Sequence, residues 1–105
     1  MNVPIHMLAF YEANENVVRN VEVPDHELVG DIDHDMEMIY YYGQNDTIPQ
    51  QMCSVSIGDV IEYNGKYWLV ISFGFKEMSK EEYDTYRNTD RSERIIDAYR
   101  GSVRK

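Results

Sequence analysis

The chain has 105 residues, 19 acidic against 10 basic, and a formal net charge of -9. Its length fits a single domain over residues 1–105, and 43% hydrophobic content with nine tyrosines excludes a disordered chain. The single cysteine, Cys53, excludes an internal disulfide and favours a cytoplasmic protein. We expect no membrane span and no signal peptide, and the acidity argues against direct nucleic-acid binding.

The charge is distributed unevenly along the chain. Residues 1–50 hold ten acids and one base, Arg19, whereas residues 51–105 hold nine acids and nine bases, so the net charge belongs to the first half. Seven acids lie between Glu22 and Glu37 without a lysine or arginine. Three interpretations follow: a solvated surface that maintains solubility, an acidic face for a basic partner, or attraction between ends of opposite sign.

The acidic first half predicts a hairpin followed by a helix. Ile5–Tyr11 is a mostly apolar run, and Val17–Val23 alternates between apolar and polar residues, which is the pattern of a half-buried strand. From Asp33 to Tyr42 apolar residues recur at helical spacing, with acids near the helix start, where negative charge suits the dipole. Residues 44–51 are polar and predict a loop.

The neutral second half predicts another hairpin. Val55–Tyr63 leads through Asn64-Gly65 into Lys66–Ser72, and Asn-Gly is the strongest short-range signal for a two-residue hairpin turn. Both faces of the later strand are largely apolar, so we expect it at the centre of a sheet. Phe73–Lys76 either continues this strand or bends it at Gly74.

Helices are predicted to follow this hairpin. Ser79 and Glu82 match a capping box, which predicts a helix to about Asn88, and a last helix runs from Asp90 or Ser92 to Gly101. Its apolar positions are Ile95, Ile96 and Tyr99. The elements together predict an α+β fold: a small curved antiparallel sheet built from two hairpins, with a helix between them and one or two C-terminal helices. An SH3-like partial barrel is the alternative.

Patterns for catalysis and metal binding are weak. Asp31-Ile-Asp33-His-Asp35 resembles the start of a calcium loop, but Met36 and Tyr42 stand where glycine and a bidentate carboxylate are required. Cys53 and the histidines lack close metal-ligand spacing, and no activating base is recognisable. The sequence therefore predicts a non-enzymatic protein without catalytic residues, metal or cofactor. The alternative is a small enzyme or ligand-binding domain whose site gathers distant residues, such as His6, His34, Cys53 and Asp59.

The predicted helix ends in three tyrosines. A helix cannot bury three successive side chains on one face, so at least one ring is expected to point outward or into an interface. Interfaces favour tyrosine because it combines contact area with a polar tip. The residues predicted to bind a partner are the neighbouring acids and these tyrosines: Asp31, Asp33, Asp35, Glu37, Tyr40, Tyr41 and Tyr42.

Two segments of the second half resemble the YodL-like domain, a small domain found in phages, plasmids and integrative elements. They are Ser54–Ile61 (SVSIGDVI) and Tyr67–Met78 (YWLVISFGFKEM), within a stretch of residues 54–78 that is about a quarter of the chain, and Ser72–Glu77 (SFGFKE) is their most specific part. The resemblance implies a phage or mobile-element origin, with the shared hairpin acting as a scaffold. It brings no catalytic residues.

These features favour a phage or mobile-element accessory protein that binds a host protein. Its acidic first half is expected to occupy the basic surface of a nucleic-acid-handling or defence enzyme, by steric and electrostatic competition. The alternative is a structural or regulatory small protein that self-associates through Trp68, the tyrosines or its ends of opposite charge.

Overall fold

The computed structural model of the chain describes residues 1–44 and 54–102. Of the loop predicted at residues 44–51, only Gln44 is among the described residues, and Cys53 also lies outside them. Eight regular elements follow one another in this order: β1 Asn2–His6, β2 Val18–Glu22, α1 Ile32–Tyr42, β3 Val60–Tyr63, β4 Lys66–Ile71, β5 Gly74–Met78, α2 Lys80–Asn88 and α3 Arg91–Arg100. Two short 3-10 helices flank β2, at Ala13–Glu15 and Asp25–Glu27.

The five strands form one antiparallel sheet in the order β2-β1-β3-β4-β5. The first hairpin joins the second through β1 and β3, where Ile5 lies opposite Ile61. The sheet is open, with β2 and β5 at its edges, and this arrangement differs from the SH3-like barrel that was the alternative. The predicted α+β fold with a small curved sheet and a helix between two hairpins is confirmed.

Helices cover both faces of the sheet. Because neighbouring residues of a strand point to opposite faces, Ile61 and Val60 belong to different cores. Met36 and Ile39 of α1 pack with Ile61 on one face. On the other face Val60 packs with buried side chains from α2 and α3, namely Tyr83, Tyr86 and Ala98. The outer side of α1 and the outer side of α3 are therefore separate surfaces of a three-layer molecule.

The turn of the second hairpin and the start of α2 form as their local sequences predict. Asn64 and Gly65 both take positive φ, 55° and 73°, as a tight hairpin turn of this kind requires. At the start of α2 the Ser79 side chain accepts a hydrogen bond from the Glu82 N–H at 3.1 Å, and the Glu82 carboxylate accepts from the Ser79 N–H at 3.1 Å. The capping box is thereby confirmed.

Two strand predictions differ from the structure, and an alternative left open for a third segment is decided by it. The strand predicted at Ile5–Tyr11 lies at Asn2–His6, because Met7–Ala9 reach the core from a turn and not from the sheet. The strand predicted from Val55 begins only at Val60. Of the two alternatives for Phe73–Lys76, the structure agrees with a bend: the chain turns at residues 72–73, directly before Gly74, and pairs back as β5, with Ile71 opposite Gly74.

No helix within the described ranges is long and apolar enough to cross a membrane.

Candidate functional site

The outer side of α1 carries a row of exposed side chains. Asp31 caps the helix, since its carboxylate accepts a hydrogen bond from the Asp33 N–H at 3.2 Å. Asp33, Glu37 and Tyr41 follow at four-residue intervals, so they lie along one side of the helix, and all three are exposed. We call Asp31, Asp33 and Glu37 the acidic surface, which has Tyr41 at its C-terminal end.

The charge of this acidic surface is not neutralised by its neighbours. Within the described residues, no cationic nitrogen lies within 4 Å of these three carboxylates. Glu22 and Asp25, which precede them in the chain, do have a cation beside them: the Met1 amino group lies 3.2 Å from the Glu22 carboxylate and 2.9 Å from that of Asp25. Arg19, the one base of the first half, is buried and donates to the Gly43 carbonyl at 2.7 Å. The acidic surface therefore faces solvent with its charge intact.

Asp35 does not belong to this surface, which corrects the sequence-based prediction. Its side chain is fully buried. The carboxylate accepts hydrogen bonds from the N–H groups of Val29 (2.8 Å) and Gly30 (3.1 Å) and from the Tyr63 hydroxyl (3.0 Å). Two effects raise the pKa of the Tyr63 hydroxyl: burial, which is the larger, and the hydrogen bond to Asp35. Asp35 thus fastens α1 to β3 and to the preceding loop and is unavailable to a partner.

The three tyrosines at the end of α1 separate into different environments. Tyr41 is 55% exposed, so one ring does point outward. Tyr40 is half-buried and meets Phe75 edge-to-face, with ring centroids 6.1 Å apart. Tyr42 packs against the core and touches Tyr41 edge-to-face at 5.2 Å. Tyr41 alone extends the acidic surface, whereas Tyr40 and Tyr42 attach α1 to the molecule.

Asp59 and Arg94 are two buried charged side chains outside the acidic surface. The Asp59 carboxylate accepts hydrogen bonds from the N–H groups of Ala9 and Ser56, both at 2.9 Å. Burial raises the pKa of Asp59 to about 6, against the lowering effect of these bonds. Arg94 is 1% exposed and donates to backbone carbonyls that include Leu8 and Thr89. Asp59 thus holds the segment before β3 against the turn after β1, and Arg94 holds that same turn against the junction between α2 and α3.

His6, His34 and Asp59, the members of the alternative enzyme site that the structure describes, each have different hydrogen-bond partners, and Cys53 lies outside the described residues. His6 lies on the α2 side of the sheet, where its ring nitrogens contact the Glu62 carboxylate at 3.0 Å and the Tyr83 hydroxyl at 3.2 Å. His34 lies on α1 beside the Glu27 carbonyl, at 3.1 Å, and Asp59 is occupied by backbone N–H groups. Across residues 1–44 and 54–102, no three His, Cys, Asp or Glu side chains are grouped to hold a metal ion.

A groove that was not predicted from the sequence runs beside Tyr40, between α1 and α3. Its lining includes Phe10, which is 53% exposed, and Ile95 and Tyr99 of α3. Ile95 and Tyr99 were predicted as apolar positions of the last helix, but its buried positions are Arg94, Asp97 and Ala98. One feature of the sequence pointed to this groove: α3 has apolar residues in addition to those on its buried side.

Comparison of the chain with protein-family models, curated proteins and solved structures finds no match. The resemblance of residues 54–78 to the YodL-like domain stays a prediction. The candidate site is thus defined by the acidic surface on α1, Tyr41 and the adjoining groove.

Proposed function

We propose that the protein is a non-enzymatic accessory protein of a phage or mobile element that binds a host protein through its acidic surface. One observation carries this proposal: Asp31, Asp33 and Glu37 are exposed on one rigid helix, without a cation beside them among the described residues. A surface of one sign attracts a partner of the other sign and accelerates encounter. Tyr41 adds the aromatic contact area that interfaces favour.

The partner class we propose is a nucleic-acid-handling or defence enzyme with a basic surface. Such enzymes hold phosphates with lysine and arginine side chains, and carboxylates are the matching anions in a protein. The acids at positions 33 and 37 are one helical turn apart, which is about 6 Å along the axis at a rise of about 1.5 Å per residue. A helix with this charge spacing fits over a row of cations, and the body of the protein then excludes nucleic acid sterically.

The test compares two sets of neutralising substitutions. The first set, Asp31→Asn, Asp33→Asn and Glu37→Gln, removes the charge of the acidic surface while asparagine keeps the helix cap. The control set, Glu77→Gln, Glu81→Gln and Asp84→Asn, removes the same charge from exposed positions on β5 and α2. Host proteins captured from a bacterial lysate are purified, and their Kd for each variant is measured at rising salt.

We expect the first set to weaken binding at least tenfold and the control set to change it little. We also expect the affinity of the unsubstituted protein to fall as salt rises, because exposed charges are screened. Equal losses in both sets, or affinity that ignores both salt and the first set, would contradict the proposal.

Self-association is the second candidate function, and exposed apolar side chains near α3 favour it. Phe10, Phe73, Ile96 and Tyr99 are each about half exposed or more. Such groups mark interaction surfaces when they lie together. Trp68 is not among them, since it is half-buried and its indole N–H donates to the Tyr63 carbonyl at 3.3 Å. A molar mass that rises with protein concentration in light scattering supports self-association, and a constant monomer mass excludes it.

A further inference from the structure

Two hollows adjoin the C-terminal part of α1, and the larger of them lies between α1 and α3. The larger, of about 710 Å³, has Phe10, Tyr40, Ile95 and Tyr99 among its lining residues. A volume of this size falls within the range of about 300–1,000 Å³ that is typical of binding pockets.

The smaller hollow, of about 190 Å³, lies along β4 and β5 and includes Glu37 and Phe75. Tyr40 and Ile57 border both hollows. The two hollows therefore form one groove with aromatic walls, which we call the α1–α3 groove.

Opposite charges mark the two parts of this groove. Arg91 borders the larger hollow, where its guanidinium donates to the Phe10 carbonyl at 3.3 Å and lies 3.6 Å from the exposed Glu12 carboxylate. An exposed ion pair of this kind is weak, so a ligand carboxylate can replace Glu12. Glu37 borders the smaller hollow and belongs to the acidic surface. The groove is thus apolar in the middle, with a cation in one part and an anion in the other.

We infer that the α1–α3 groove binds a short segment of the partner protein. The segment places one or two large apolar side chains in the larger hollow, a basic residue towards Glu37 and an acidic residue towards Arg91. This inference rests on the proposed function, because Glu37 is shared between the acidic surface and the groove. It assigns the two regions different roles: the acidic surface sets the association rate, and the groove, by burying an apolar anchor, sets the dissociation rate.

The test uses a displayed library of random dodecapeptides as the probe. Ser92→Trp, at an exposed position in the lining of the larger hollow, adds an indole to the groove without removing a core side chain. Asn20→Trp adds the same group to an exposed position of β2 and is the matched control. We expect the enriched peptides to share a base, an apolar or aromatic pair and an acid. We also expect these peptides to bind Ser92→Trp at least tenfold more weakly than the unsubstituted protein, and to bind Asn20→Trp with the same affinity.

A charge reversal keeps the inference testable if Ser92→Trp fails to fold. Arg91→Glu lies at an exposed position, and peptides selected against this variant should carry a base where those selected against the unsubstituted protein carry an acid. Peptides without an apolar pair, no enrichment at all, or the same charge pattern on both proteins would overturn the inference. A dimer of the unsubstituted protein that Ser92→Trp converts to a monomer would also overturn it, because a second copy would then be the occupant.

The outcome separates this inference from the proposed function. If the groove assignment fails alone, the purified host partner loses affinity for the Asp31→Asn, Asp33→Asn, Glu37→Gln variant but binds Ser92→Trp normally. If the proposed function fails alone, no host partner depends on the acidic surface, yet selected peptides still lose affinity for Ser92→Trp.

Discussion

Arg94 brings a positive charge into the interior, where, among the described residues, no carboxylate lies within 4 Å of it. All five of its N–H groups donate to backbone carbonyls, which belong to Leu8, Tyr11, Arg87 and Thr89. Burial lowers the pKa of Arg94, although the group remains a cation at neutral pH. This one side chain therefore ties the turn after β1 to the junction between α2 and α3.

Replacing Arg94 with methionine is expected to lower the free energy of unfolding by about 3 kcal/mol. Methionine fills similar space but leaves the buried Leu8 carbonyl and three part-buried carbonyls without this donor, and an unsatisfied buried group costs roughly 1–3 kcal/mol before the structure relaxes. Urea denaturation measures the change, and Arg100→Met, at an exposed position of the same helix, is the control with an expected loss below about 0.5 kcal/mol. Similar losses in both variants would refute the role given to Arg94.

Asp59 makes stability depend on pH in an unusual direction. Burial raises its pKa in the folded state to about 6, from the ordinary value of 3.8 for an aspartate. The folded state therefore favours the protonated carboxyl, so this contribution to stability is complete below about pH 4 and is lost as pH rises through 6. A difference of about two pKa units corresponds to roughly 3 kcal/mol.

The measurement is the free energy of unfolding of the unsubstituted protein minus that of Asp59→Asn, from pH 4 to pH 8. Subtraction removes the titration of the other carboxylates, and asparagine cannot ionise. We expect the difference to fall by about 2–3 kcal/mol across this range. Parallel curves, or a difference that grows with pH, would show that the hydrogen bonds from Ala9 and Ser56 outweigh burial.

At the scale of elements, Asp35 connects α1 to the loop before it and to β3. Asp35→Asn is expected to lower stability by about 1–2 kcal/mol, because an amide cannot accept all three hydrogen bonds. Partner affinity should stay within about twofold, since the residue is buried and lies outside the acidic surface. Chemical denaturation and a binding titration check the two parts, and a tenfold loss of affinity in a folded variant would return Asp35 to the binding site.

Elements set by local chemistry were predictable, and those set by distant contacts were not. Asn64-Gly65 and Ser79 with Glu82 determine a turn and a helix start within a few residues, so the turn of the second hairpin and the start of α2 were predicted correctly. The β1 boundary depends on Met7–Ala9 being buried from a turn, and an apolar run carries no mark of that difference.

The candidate site was partly predictable for the same reason. Helical spacing does place Asp33, Glu37 and Tyr41 on one side of α1. The same spacing places Asp35 with Ile32 and Ile39 on the buried side, so helical periodicity would have removed it from the predicted surface. The burial of Arg94 had no such signal, because its partners are carbonyls about 80 residues earlier in the chain as well as in its own neighbourhood.

At the scale of the whole molecule, the net charge of -9 becomes a localised feature. The Met1 amino group compensates Glu22 and Asp25, Arg19 is buried, and the acidic surface on α1 keeps its charge. The other side of the sheet carries α2 and α3, which come from the electrically neutral half of the chain. A neutral scaffold thus presents one acidic helix, with the α1–α3 groove beside it.

Competition with DNA shows whether the acidic surface occupies the nucleic-acid site of a host partner. A fluorescent DNA duplex is bound to the purified host partner, and the protein is titrated in while anisotropy is followed. We expect the unsubstituted protein to release the DNA, and the Asp31→Asn, Asp33→Asn, Glu37→Gln variant to need at least tenfold higher concentration. A ternary complex in which DNA stays bound, or equal release by both proteins, would contradict an acidic surface that competes for the site of nucleic acid.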